Sequence, residues 1–248
     1  MGTLTRITLN IFIVVLAIAA GFYQIYFKPV LAQFGIRPAR VIQPLGNKKC
    51  KGIPELQACE GASLLLCIAL QDSISFVEII LHQPTGVLYL ACSTPLSRQH
   101  WIPSLTQLNA SGASTKDYVA TYDPATSSIT RLTTPDFNNG RGLSLHGMDV
   151  VPSMSNPNKL FVYLVNHRIP LGDANPAEVG ADSVIEIFTT TVGGTTLKHK
   201  RTIEDPIIVT PNSVSGSDDG ESFYFTNDLG VRVGLVSNNF PLPTLEVP

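Results

Sequence analysis

Past a Pro-containing linker, roughly residues 28–49, the chain reads as short apolar runs separated by turn-forming clusters. The runs 87–92, 118–122, 129–132, 160–166, 184–188, 197–203 and 222–226 are rich in β-branched and aromatic residues and are bounded by Pro, Gly, Asp, Asn or Ser. That composition fits a pleated surface, and runs spaced by roughly ten residues with no long amphipathic helix between them predict an all-β sandwich, barrel or propeller rather than a βαβ fold. One arrangement recurs. A polar turn precedes an apolar strand at 83–86 before Val87, at 156–159 before Leu160 and at 217–220 before Ser222. Starts about 70 and 60 residues apart suit a propeller whose four-stranded blades of about 40 to 50 residues carry added loops. Residues 61–77 have neither clean alternation nor turn chemistry, and read as an insertion forming a short buried helix or strand.

The N-terminus follows a different rule. Residues 7–27 are apolar apart from Thr8, Asn10 and Gln24, with no charge between Arg6 and Lys28. About twenty residues rising 1.5 Å each cross a bilayer core, so 1–28 are read as a signal peptide or signal anchor, 29–49 as a linker and 50–248 as the folded domain. Ala17-Ile18-Ala19 offers a small-x-small cleavage pattern, whereas Tyr23 and Tyr26 at the far end of the run favour an anchor. Lys28, Arg37 and Arg40 by themselves favour a cytoplasmic C-terminal side, and the sequon Asn109-Ala110-Ser111 argues for the lumen. The expected location is the membrane of the secretory pathway, or secretion.

Charge and cysteine spacing narrow the chemistry. With 17 basic and 19 acidic residues and a pI near 6.2, the chain has no basic field for a nucleic-acid backbone. The cluster Lys48, Lys49 and Lys51 is read as a solvated or headgroup-facing patch. Cys50, Cys59, Cys67 and Cys92 lack the paired C-x-x-C spacing of a zinc site. In a lumenal domain they allow one or two disulfides, with the pairing left open.

Two apolar runs end in histidine, one at Leu145-His146-Gly147-Met148 and the other at Val165-Asn166-His167. Histidine titrates near neutrality, so two meeting at neighbouring strand ends can pass a proton to and from water. The alternative is that His146 is a hydrogen-bonded core residue and His167 caps a strand.

Taken with Cys50 followed by Glu60, with Thr210-Pro211-Asn212 and with Phe225-Thr226-Asn227-Asp228, these motifs resemble the serum paraoxonase/arylesterase family, closest to its fungal members, over residues 50–228. The resemblance implies a six-bladed β-propeller whose central tunnel holds two calcium ions, and hydrolysis of a small-molecule aryl ester or lactone. By the same resemblance His146 is the water-activating base and His167 its proton-shuttling partner. Glu60 and Asn212 would be oxygen ligands of the catalytic calcium, and the Met148 carbonyl a ligand of the structural one. Outside the resemblance, Glu60 reads as an exposed carboxylate and Asn212 as a turn amide. The chain departs from the family at Glu60-Gly61 and Asn212-Ser213, where the family has Glu-Asp and Asn-Asp. If 61–77 is an insertion, Glu78 follows Glu60 in register and replaces the first missing carboxylate. Ser213 offers a neutral hydroxyl, a weaker calcium donor than a carboxylate. The roughly 200 residues after the apolar segment hold about four blades, so the implied propeller is incomplete. Two alternatives stand beside the hydrolase: a non-catalytic truncated or degenerate propeller that binds metal weakly, and a strictosidine synthase-like propeller, which lacks such a calcium-ligand set.

Overall fold

A computed structural model describes residues 2–33, 53, 55, 56, 58, 59 and 79–234. The chain divides into two compact units, Met1–Lys49 and Cys50–Pro248. In the first, α1 (Thr3–Phe22) runs through a π-helical turn (Tyr23–Phe27) into α2 (Lys28–Gln33). The span Thr5–Ala32 has a mean hydropathy of 2.0, and its large side chains, among them Ile11, Phe12, Ile18 and Ile25, are exposed. An apolar helix of this length is consistent with a signal anchor or signal peptide. Helical backbone continues through Gln33, and residues 34–49 lie outside the described residues.

The second unit is mostly β. The first four-stranded antiparallel sheet has the order β1 (Ile79–His82), β2 (Val87–Cys92), β5 (Tyr118–Asp123), β6 (Ser128–Arg131). Between β2 and β5 lie the short helix α3 (Pro95–His100) and the two-residue strands β3 (Trp101–Ile102) and β4 (Gln107–Leu108). Thr94 caps α3, its hydroxyl accepting from the Ser97 N–H, and Pro95 sits at the first helical position, where no amide hydrogen is needed. The second four-stranded sheet contains β7 (Leu145–Ser153), β8 (Asn156–Arg168), β9 (Asp182–Thr191) and β10 (Lys198–Ile203), antiparallel in that order, with α4 (Pro176–Val179) between β8 and β9. A two-stranded sheet pairs β11 (Pro211–Gly216) with β12 (Phe223–Asn227).

Strand alternation sets the layers. In β8 the even residues Leu160, Val162 and Leu164 face the first sheet and join Tyr89, Ala91, Val119, Met148 and Phe188 in one core. The odd residues Phe161, Tyr163 and Val165 face the other way, with Ile185, Ile187, Val214 and Phe223. Both faces of the strand are therefore covered, which is why 160–165 is an unbroken apolar run rather than an alternating one. Each such side chain contributes roughly 1.5–3 kcal/mol on leaving water. The outer face of the first sheet carries a third core of Leu88, Leu90, Ala120 and Tyr122, against which Ile53, Leu56 and Cys59 pack. A disulfide joins Cys59 to Cys92. It resolves one pairing that the sequence left open; Cys50 and Cys67 lie outside the described residues.

The expected turn at 156–159 is not a turn. The chain reverses earlier, at Met154 and Ser155, and 156–159 form an irregular start to β8, where the register jumps from Ser153 opposite Asn156 to Pro152 opposite Leu160. Pro157 has no N–H for the ladder, which suits it to such a bulge. The proposed insertion, 61–77, lies outside the described residues.

Candidate functional site

The histidines meet because of a second bulge. Leu145 pairs with Asn166 and Met148 with Leu164, so His146 and Gly147 together oppose Val165. The extra residue leaves Leu145 and Met148 both in the core facing the first sheet and turns His146 toward the face that carries His167. Gly147 is required there: a Cβ would lie 2.1 Å from the Asn212 carbonyl oxygen and 2.9 Å from the Ser213 Cα. The bulge thus lets β7 and β11 touch through backbone and brings Asn212-Ser213 beside His146-Gly147.

His146 Nδ1 and His167 Nε2 are 3.3 Å apart, with the rings edge to face at 82°. Both side chains are buried. The other nitrogen of His167, Nδ1, lies 2.8 Å from Ser183 Oγ on the facing strand β9. Backbone bonds fix this end of β8: the His167 N–H donates to the Ser144 carbonyl at 2.8 Å, and the Trp101 indole N–H donates to the His167 carbonyl at 2.9 Å. Asp182, the residue before Ser183, binds the guanidinium groups of Arg141 and Arg168 through its carboxylate.

Burial lowers both histidines. His146 falls to about 4, driven first by burial and then by the Arg98 cation. His167 is pushed well below its ordinary value by burial, with the charges of His146 and Arg98 adding to it. The pair is therefore neutral near pH 7. If His146 Nε2 is the acceptor, its Nδ1–H donates to His167 Nε2, and the His167 Nδ1–H then donates to Ser183 Oγ. These tautomers satisfy both the His146–His167 and the His167–Ser183 contacts.

On the opposite face of β8 from His167, and at the start of β7, buried polar groups fix the backbone that carries the pair. Asn166 accepts from the Ser144 N–H at 2.9 Å and donates to the Gly142 carbonyl and Glu186 Oε1, each at 3.2 Å. Glu186 Oε2 lies 2.9 Å from His199 Nε2 and accepts from the Thr202 hydroxyl at 2.6 Å. Asp117 Oδ2 accepts the Leu145 N–H at 2.8 Å, and burial raises this carboxyl to about 6.

The other sequence-predicted ligands divide into two groups. Glu60 and Glu78 lie outside the described residues. Asn212 is half-buried, and its Nδ2 donates to both oxygens of Asp228, at 2.8 and 2.9 Å. Anchored this way, the amide has its Oδ1 turned away from the carboxylate. Ser213 is exposed, and its backbone N–H donates to Thr226 Oγ1 at 3.3 Å. The Met148 side chain is fully buried in the core. Among the described residues, no three His, Cys, Asp or Glu side chains converge in the manner of a metal site. The donors that do stand near β11 are oxygens (an amide, a carboxylate and a hydroxyl), the kind a hard cation such as calcium takes.

Sequence reasoning missed Ser183, Trp101, Arg98 and Asp117. Only Ser183 carried a signal: extending the alternation of 184–188 back by one residue places it on the face of Ile185 and opposite His167. Set against known proteins, the chain matches no protein-family profile and no curated protein sequence.

Proposed function

We propose that the chain is a calcium-dependent hydrolase of aryl esters or lactones built on a β-propeller scaffold, with His146 and His167 activating water. The observation that carries this reading is the buried contact between His146 Nδ1 and His167 Nε2, continued to Ser183. The scaffold reading is supported by β7, which lies against β1 and β2 on one side and β11 on the other, so that the first described strands of successive sheets are neighbours. Those strands begin at Ile79, Leu145 and Pro211, at near-regular intervals.

In the reaction His146 Nε2 accepts a proton from water as the water oxygen adds to the ester carbonyl. The charge that develops on the imidazole is shared when Nδ1–H moves toward His167 Nε2, with Ser183 receiving the hydrogen bond from His167 Nδ1. Return of the proton to the departing alkoxide restores the neutral pair, a step favoured by the burial that lowers both rings. By resemblance, Asn212 Oδ1 and Glu60 would hold the catalytic calcium, and the Met148 carbonyl, Glu78 and the Ser213 hydroxyl the structural one. The catalytic calcium, when bound, would supply polarisation of the carbonyl oxygen. Ser213 favours a second reading, a non-catalytic scaffold with weak calcium affinity, because its neutral hydroxyl stands where a carboxylate is expected.

Lactone and aryl ester hydrolysis by the purified full chain, with calcium and with chelator, tests both. Activity should require calcium, fall by about 10²–10⁴ in His146→Gln, and fall roughly tenfold in kcat with unchanged KM in Ser183→Ala. Hydrolysis that survives both chelator and His146→Gln overturns the hydrolase mechanism. No hydrolysis and no calcium site tighter than about millimolar would leave the non-catalytic scaffold.

A further inference from the structure

The chain contains a single Asn-x-Ser/Thr sequence, Asn109-Ala110-Ser111. It follows β4 and opens a 3₁₀ turn, Ala110–Gly112, capped by Asn109. Asn109 and Ser111 are exposed. The Ser111 hydroxyl donates to Asn109 Oδ1 at 2.7 Å and the Ser111 N–H reaches the same oxygen at 3.2 Å. The amide oxygen is thus engaged within the sequon, while Nδ2 stands 3.2 Å from His100 Nδ1 on an exposed edge. An open groove of about 560 Å³ adjoins it, lined by Leu108, Asn109, Ser111, Asn175, Pro176 and Val233 among others. A sugar on Nδ2 therefore extends over this loop without displacing the core.

A separate feature of the same unit bears on its compartment. The Cys59–Cys92 disulfide closes the first sheet onto the segment before it, and such bonds persist where the surroundings are oxidising. The apolar helix α1 supplies the targeting element. Lys28, Arg37 and Arg40 would by themselves turn the β unit to the cytoplasm, and against them stand two independent features, the sequon and the disulfide, that favour the other side.

We propose that Asn109 carries an N-linked glycan and that the β-rich unit lies on the lumenal side of the secretory pathway. In the transfer, Asn109 Nδ2 forms a bond to C1 of a lipid-pyrophosphate-linked oligosaccharide. The bond from C1 to the pyrophosphate oxygen breaks, the lipid pyrophosphate leaves with that electron pair, and Nδ2 gives one proton to a base of the transferase. No oxidation or reduction occurs. The proposal is independent of hydrolysis, since the glycan is read without any activity.

Expression of the full chain in eukaryotic cells, with peptide N-glycosidase treatment of the product, provides the test. Wild type should show one discrete mobility shift, with Asn109 converted to aspartate in the released peptide. Asn109→Gln and Ser111→Ala should lose the shift. Ser111→Thr, which keeps the hydroxyl, should retain it and so separates loss of the acceptor from loss of folding. A wild-type chain with no shift overturns the proposal, as does protease protection that places the β unit on the cytosolic side.

Discussion

Asp117 carries a pH dependence that can be worked from its surroundings. Burial raises its carboxyl from 3.8 to about 6, against the opposing pull of the Arg98 guanidinium and of the hydrogen bond from the Leu145 N–H. Between those two values the folded chain holds a proton that the unfolded chain has released. Stability therefore falls as pH rises, by about 1.4 kcal/mol per unit of pH. The loss is absent below about pH 4, complete above about pH 6, and amounts to about 3 kcal/mol in all. Asp117→Asn keeps an oxygen to accept the Leu145 N–H and removes the ionisation. Urea unfolding of the full chain in detergent, run on both proteins from about pH 4 to about pH 7.5, isolates this group because every other titration is shared. The variant should gain about 3 kcal/mol on wild type across that range. A difference that stays constant to within about 1 kcal/mol would refute the reasoning and mean that Asp117 is hydrated or fully compensated in the fold.

Two further outcomes follow from packing and covalent structure. Gly147→Ala should destabilise by about 3 kcal/mol or more, because its Cβ meets backbone of β11 rather than a yielding side chain. Gly172→Ala, at positive φ but in open space, should cost only local strain of about 1–2 kcal/mol. Thermal melts of the two variants that fall together would contradict the close approach of β7 and β11. Cys92→Ser should cost about 3–4 kcal/mol, as expected for a cross-link spanning 33 residues. Wild-type melting that is insensitive to reductant would contradict that bond.

The strands legible in the sequence are those whose side chains do the packing. The run 87–92 coincides with β2, and 118–122, 184–188 and 222–226 each fall within or at the edge of an observed strand, because Val, Ile, Tyr and Phe face a core there. Strand β11, Pro-Asn-Ser-Val-Ser-Gly, was not legible. Its small polar residues fit a position against other backbone and rings: Asn212 against Gly147, and Gly216 where a Cβ would strike the Tyr163 ring at 2.0 Å. Residues selected for close approach carry no hydrophobic signal, so Asn212 resembled a turn amide. At the site, the two histidines stood out because each ends an apolar run. Their partner Ser183, the Arg98 charge that acts on both, and Asp117 on the Leu145 N–H come to the site through tertiary contacts that no local pattern encodes.

Trp101 gives the histidine site a reporter of its own. It is the only tryptophan in the chain, it is buried, and its indole N–H is bonded to the carbonyl of His167. Intrinsic emission from this protein is therefore a single-point measurement: its wavelength follows the polarity around the end of β8. Any ligand, metal or proton that shifts the His167 backbone alters an optical signal for which no label has to be added.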